Sequence, residues 1–274
     1  MKSMFCCCTW LGLLALGLPL SAQEAGAPNE RLRAEHLARM QEVAASIRLL
    51  KEPERDDSAV ELGAKPLLRY ADDTRQTYES TLWLWSGGGR PSAVLAVEFF
   101  PEGPPDRRWL YEIASLSTDR IAAQRGEELR WTATQPGLVF VPLDVTDPVA
   151  DKPGRRLTQM KQLRERFSAH EPKTLGGRIE LRPLAAPLHR YASTDEAIVD
   201  GAIFAFCNGT NPEVLLVLEA QQAKNGPAAW RYALVKLTGE MASAKLDDKP
   251  VWERGLDEPP AVREDYINGY LPAK

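Results

Sequence analysis

Histidine and cysteine are scarce in this chain of 274 residues: there are three histidines and four cysteines, three of them side by side as Cys6, Cys7 and Cys8. His36, His170 and His189 fall in no HxH or HExxH pattern and the cysteines make no CxxC pair, so no spacing puts metal ligands on one face and no metal or cofactor site is expected. An excess of one charge is also missing. With 34 Lys and Arg against 38 Asp and Glu, the formal charge of −4 gives no footing for a nucleic acid or an anionic membrane. No GxSxG, Walker or kinase signature occurs, and Gly87-Gly88-Gly89 leads into Pro91 and a strand pattern where a phosphate loop needs a helix. Beyond the first twenty residues no apolar run is long enough to span a bilayer, so no transmembrane segment is expected in the mature chain.

The one long apolar run is at the start. Lys2 precedes Phe5 to Leu20, and Leu20-Ser21-Ala22 follows, which is the build of a secretory signal peptide over residues 1–22 with cleavage after Ala22. The three clustered cysteines lie at the near end of that run, where a lipoprotein signal has its cysteine at the far end. Cleavage leaves Cys207 alone, so an exported protein, periplasmic or secreted, must hold together without an internal disulfide. Its 44% hydrophobic content is enough for that.

The remaining sequence repeats itself. PLLRYA from Pro66 returns as PLHRYA from Pro187, and the same displacement of 121 residues carries Gly88 to Gly209, Glu98 to Glu219, Trp109 to Trp230, Tyr111 to Tyr232 and Trp131 to Trp252. Residues 29–143 and 155–267 are therefore expected to be two units joined by the linker 144–154 (DVTDPVADKPG), with 268–274 as a tail. Each unit opens on a helical period, Leu37, Met40, Val43, Ile47 and Leu50 in the first, with Asn29 as a start cap, and Leu157, Met160, Leu163 and Phe167 in the second. The arginine-rich second helix reads as a solvated face. Period-two strands follow, with Gly and Pro rich hairpins at SGGGRP (Ser86 to Pro91) and CNGTNP (Cys207 to Pro212). The expected fold class is α+β: a tandem duplication, each unit one N-terminal helix and an antiparallel meander, the two packed together pseudo-symmetrically.

Candidates for chemistry are few. Cys207, His189 and Asp200 make a thiol, base and acid on paper, but Cys207 answers to Ser86 in the other copy and no nucleophile motif surrounds it. Trp83 with Trp85, and Trp109 with Tyr111, are aromatic pairs on one strand face that suit a sugar platform or a core. Asp56-Asp57, Asp72-Asp73 and Asp247-Asp248 are loop acids, and Asn208-Gly209-Thr210 reads as a turn before a glycosylation site. No catalytic residue is assigned. Two structural pairs are expected, Arg69 with Glu98 and Arg190 with Glu219, because a glutamate ending an apolar strand needs a cation.

PLxRYA, DGAIFAFCNGTNPEVLLVLEA (Asp200 to Ala220) and WRYALVKLT (Trp230 to Thr238) resemble a family of predicted exported bacterial proteins of planctomycete type. The first unit departs from that pattern at Glu79-Ser80, where the second has Asp200-Gly201. The resemblance implies export and a duplicated build and carries no activity. The functional expectation is an exported, non-catalytic protein that binds a protein or cell-envelope component where its units meet. A small-ligand or glycan-binding module and an envelope hydrolase with an acid pair are the alternatives. Mass spectrometry of the protein from its native host is expected to find a mature N-terminus close to Gln23; an intact Met1 form in the cytoplasm would contradict export.

Overall fold

The computed structural model describes residues 26–72, 77–173, 176–193 and 197–271. The segment expected to be a signal peptide, with its expected cleavage site at Ala22, lies outside them. The chain runs through helix α1 (Gly26–Ser46) and strands β1 (Arg48–Leu50), β2 (Ala59–Val60), β3 (Leu68–Asp72), β4 (Thr77–Trp85) and β5 (Ala93–Phe99). Next come β6 (Trp109–Ser115), β7 (Ala122–Arg125), β8 (Leu129–Thr132) and β9 (Val141–Pro142). Helix α2 (Pro153–Glu165) opens the second half, followed by β10 (Phe167–Pro172), β11 (Arg178–Pro183), β12 (His189–Ser193), β13 (Ile198–Asn208) and β14 (Asn211–Gln222). Then β15 (Ala228–Lys236), β16 (Ala242–Leu246), β17 (Lys249–Arg254), β18 (Ala261–Val262) and β19 (Tyr266–Tyr270) complete it.

The α+β expectation is overturned. Among the described residues the protein is mostly β, with 47% strand against 16% helix and two α-helices, and its large antiparallel sheets include a half-barrel. Its strands do not form two self-contained helix-and-meander units. Sheets of four (β2-β1-β7-β8) and six (β18-β19-β6-β5-β4-β3) strands stand beside a nine-stranded sheet ordered β17-β16-β10-β11-β13-β14-β15-β9, with β12 also on β13. Each half gives a strand to the other's sheet: β9 pairs with β15, and β19 pairs with β6 from Tyr266↔Ala114 to Tyr270↔Leu110. These additions cover edges that would otherwise offer unpaired backbone to water. The boundary expected at 267 therefore cuts a strand.

Two local misreadings feed that error. α1 ends at Ser46, and the chain turns at once into β1, whose Leu50 happens to lie three residues beyond Ile47 and so imitates the helical period. Phe167 likewise lies four beyond Leu163 yet begins β10, whose burial alternates residue by residue. Asn29 falls inside α1, which has begun by Gly26.

Strand parity sorts the core into layers. Trp83, Trp85, Leu95 and Val97 face α1 through Met40, Val43 and Ile47, and the four-stranded sheet closes the far side with Ala123, Leu129 and Trp131. Phe204, Phe206, Leu216 and Leu218 face α2 through Met160 and Leu163. The opposite faces of the same strands meet each other: Leu82, Leu84, Val94 and Ala96 pack against Ile203, Ala205, Leu215 and Val217 in one inter-sheet layer shared by both halves. β4 and β13 are apolar on both faces because both faces are covered.

Tyr191 pairs in register with Gly201, and a Cβ added at Gly201 would lie 2.7 Å from the Tyr191 ring. The ring thus lies over bare backbone on the inter-sheet face. Gly201→Ala is expected to destabilise by about 1 to 3 kcal/mol through overpacking, read as a lower urea midpoint at unchanged slope. An unchanged midpoint would contradict this packing.

Candidate functional site

Buried carboxylates are the unusual feature of the inter-sheet layer. Glu98 and Glu219 are 3% and 0% exposed, and each is reached by a tyrosine of the neighbouring strands: Tyr70 donates its hydroxyl to Glu98 Oε1 at 3.0 Å, and Tyr191 to Glu219 Oε1 at 2.6 Å. The registers explain both contacts. Tyr70 pairs with Ser80 and Ser80 with Glu98, as Tyr191 pairs with Gly201 and Gly201 with Glu219, so each trio shares one sheet face.

The expected Arg69–Glu98 and Arg190–Glu219 pairs are not formed. Arg69 pairs across to Thr81, one residue out of phase with the Tyr70 row, so it points to the other face and meets Glu79. Arg190, by the same parity, puts Nε 2.8 Å from Asp200 Oδ1. Arg156 of α2 joins it there, Nε 2.8 Å from Asp200 Oδ2, so one member of the arginine-rich helix is buried against a carboxylate. The position in the first half is held by His36, whose Nδ1 is 3.5 Å from Glu79 Oε2.

Glu219 takes its cation from the opposite half. Arg90, on the Ser86 to Pro91 hairpin, lays its guanidinium fork on the carboxylate, Nε to Oε1 at 2.8 Å and Nη2 to Oε2 at 2.9 Å. Its Nη1 donates to Thr118 Oγ1 at 3.4 Å, and its Cζ stands 5.1 Å from the Phe140 ring centroid. Gln221 Nε2 adds a fourth donor to the carboxylate at 2.6 Å from Oε2.

Glu98 lines a cleft of about 450 Å³ at the junction of the halves. Leu110 and Glu112 of β6 continue its floor, and the Phe100 to Pro104 turn and Arg107 make one wall. Gly239, Glu240, Leu256, Glu258 and Pro259 of the second half make the other, with Tyr270 of β19. Glu112 is 4% exposed and accepts from Tyr266 at 2.5 Å. Lys236, bound to Asp257 at 2.8 Å, stands behind Tyr266 with Nζ 5.8 Å from the ring centroid. Among the described lining residues, Glu102, Glu240 and Glu258 stand at the rim with Arg107, an acidic excess there. Burial, and next the Glu98 charge, push the Tyr70 phenol well above its ordinary range; burial and the Glu112 charge do the same to Tyr266. Both stay protonated and act as donors only to carboxylates that are charged or polar acceptors.

The other sequence candidates separate. Cys207 is fully buried, its thiol pushed up to about 12 by desolvation, and Asp200 lies on the opposite face of β13 with its two arginines. His189 shares the Cys207 face but pairs with Ile203, four residues up the strand, so the three do not converge. Trp83, Trp85 and Tyr111 belong to the core, with Trp109 packed against it, which leaves no open aromatic platform on these strands. Asn208 is buried at the β13–β14 hairpin, where Gly209 takes φ 58 and Thr210 bonds the Ala71 backbone. Asp247 and Asp248 make the left-handed turn between β16 and β17, and Asp73 lies outside the described residues. Among the described residues no group of three His, Cys, Asp or Glu is arranged to hold a metal, and no helix is long and apolar enough to cross a membrane. Glu112, Glu240 and Glu258 carried no signal in the sequence, because only the fold brings them together. Comparison with protein-family models, with curated proteins and with solved structures finds no match for this chain.

The raised phenols set an alkaline limit. The unfolded chain ionises tyrosine near pH 10 and the native one does not, so stability is held below about pH 10 and falls as pH rises above it. Tyr70→Phe and Tyr266→Phe are expected to flatten that fall, measured by denaturant unfolding from pH 8 to pH 11; identical slopes in the variants would contradict the assignment.

Proposed function

We propose that the mature chain is an exported, non-catalytic binding protein whose cleft at the junction of the halves takes a cationic group from a protein or cell-envelope partner. The observation that carries this reading is the acidic rim of the cleft, where Glu102, Glu240 and Glu258 of both halves stand together. Phe100, Leu110, Leu256 and Tyr270 supply apolar surface beside them, which suits a charge carried on an aliphatic or planar stem. Desolvation of the walls strengthens each charge contact over its value in water.

Hydrolysis of a glycoside asks for something different. Its two acids flank the scissile bond from opposite sides, and one sits in an apolar pocket while the other stays in a polar one. Glu98 and Glu112 rise from adjacent strands on the same sheet face, and each accepts a phenolic hydroxyl, so they do not face each other across the cleft. The export signal and the family resemblance support a place outside the cytoplasm in the same sense, and neither supplies a reaction.

The test is a titration of the mature protein with a blocked dibasic peptide, followed by amide chemical shifts. Shifts are expected at Leu110, Gly239 and Tyr270, weakening as salt rises. The rim variant Glu258→Lys, at an exposed position, is expected to weaken binding without loss of fold. Equal binding of an acidic peptide, or shifts confined to another surface, would overturn the reading.

A further inference from the structure

Ahead of α2 the chain forms a strap that is tied to the helix at both ends. Arg166 Nη1 donates to the Asp144 carbonyl at 2.7 Å, Gln159 Nε2 donates to the Pro148 carbonyl at 2.8 Å, and Gln159 Oε1 accepts the Ala150 N–H at 2.9 Å. Gln159, Gln162, Leu163 and Arg166 stand three and four apart and so share one side of the helix. Between that side and residues 144–147 lies a pocket of about 440 Å³, which Trp230 of β15 also lines. Small-ligand pockets run from about 300 to 1,000 Å³. Trp230 is 2% exposed, and its indole N–H has no hydrogen-bond partner among the described residues, a costly state for a buried donor. The first half is built otherwise. There Trp109 is half-buried against Phe99, ring centroids 4.5 Å apart, where Trp230 has only Ala220 across the ladder. Counting from Met40 and Met160, Gln159, Gln162 and Arg166 answer to Arg39, Glu42 and Ser46, and the stretch matching the strap is already helical from Gly26.

We infer that the pocket beneath this strap is a binding site for a neutral sugar ring, with the Trp230 N–H as one donor to it. The lining disfavours ions of either sign. Its one cation, Arg166, is already held by both oxygens of Asp247, Nε to Oδ1 at 3.0 Å and Nη2 to Oδ2 at 2.5 Å, and Asp144 and Asp147 are exposed carboxylates, so an anion meets repulsion. A cation would suit those acids but offers the Trp230 N–H no acceptor. A hydroxyl both donates and accepts through one oxygen. Several of them on one ring can accept from Trp230 and from the Gln162 amide while donating to Asp144 or Asp147, and the C–H faces of the ring suit Val145 and Leu163. The pocket shares no lining residue with the acidic cleft, so the inference stands apart from the cationic reading.

The experiment follows the indole and backbone N–H signals of the mature protein by NMR as glucose, galactose, mannose and N-acetylglucosamine are added in turn. The Trp230 indole signal is identified by its loss in Trp230→Phe or, should that variant not fold, by correlation to the Trp230 backbone. At least one sugar is expected to move that signal together with the amides of Asp147 and Gln162, to saturation. Gln162→Ala, at an exposed position, is expected to weaken the same sugar about fivefold, the worth of one ordinary hydrogen bond. Acetate or N-methylacetamide moving these signals as strongly as any sugar would overturn the sugar assignment in favour of an anion or a peptide group. Sugars that bind without moving the Trp230 signal, or no binding by any of the four, would overturn the inference.

Discussion

A carboxylate on the inner face of a sheet must bring its hydrogen-bond donors with it, and the contact between the two halves is organised around that demand. Left without partners, Glu98 or Glu219 at 3% and 0% exposure would cost several kcal/mol, a large part of what stabilises a domain. Tyr70 and Tyr191 answer it from neighbouring strands, and their bulk fills the same layer that their hydroxyls make polar. Arg90 answers it from the far sheet, so the second half's carboxylate is satisfied only when the halves are together. The strands exchanged at β9 and β19 act in the same direction, since each half completes the other's sheet edge.

The functional proposal grows from the place where the two halves differ within that scheme. Around Glu219 the layer is closed by Arg90, Gln221 and Thr118; around Glu98 it opens into a cleft lined by Phe100, Gly239 and Glu112. Phe100 stands 121 residues before Gln221, and Glu112 stands the same distance before Ala233, so the two halves carry different residues at these matched positions. Rigid strands carry both acids, which fixes their positions better than a loop would.

Much of the scaffold was legible in the sequence and the charge pairing was not. Trp83 and Trp85 alternating with Leu82 and Leu84 announced a strand covered on both faces, and SGGGRP and CNGTNP announced their hairpins. The expected arginine partners failed because alternation gives the faces of a single strand, while the face shared with a neighbour depends on register, and a slip of one residue inverts it. Arg69 opposite Thr81 is that single-residue difference. The helix-and-meander fold failed for a related reason: β9 is two residues long and β19 carries Asn268 and Gly269, so neither has a pattern that reveals which half it will join. The cleft draws Glu98, Glu112, Glu240 and Glu258 from separate segments of both halves, and no local motif connects them.

The central claim is that the inter-sheet layer binds the two halves into one cooperative body with the cleft at its margin. Hydrogen exchange in Arg90→Ala tests it most directly, because the variant removes one partner of a buried pair, a loss of about 3 to 5 kcal/mol, at a carboxylate of the second half. The account predicts that the slowest amides of β5 and of β14 lose protection by the same amount. Loss confined to β14 and its neighbours, with β5 unchanged, would contradict it.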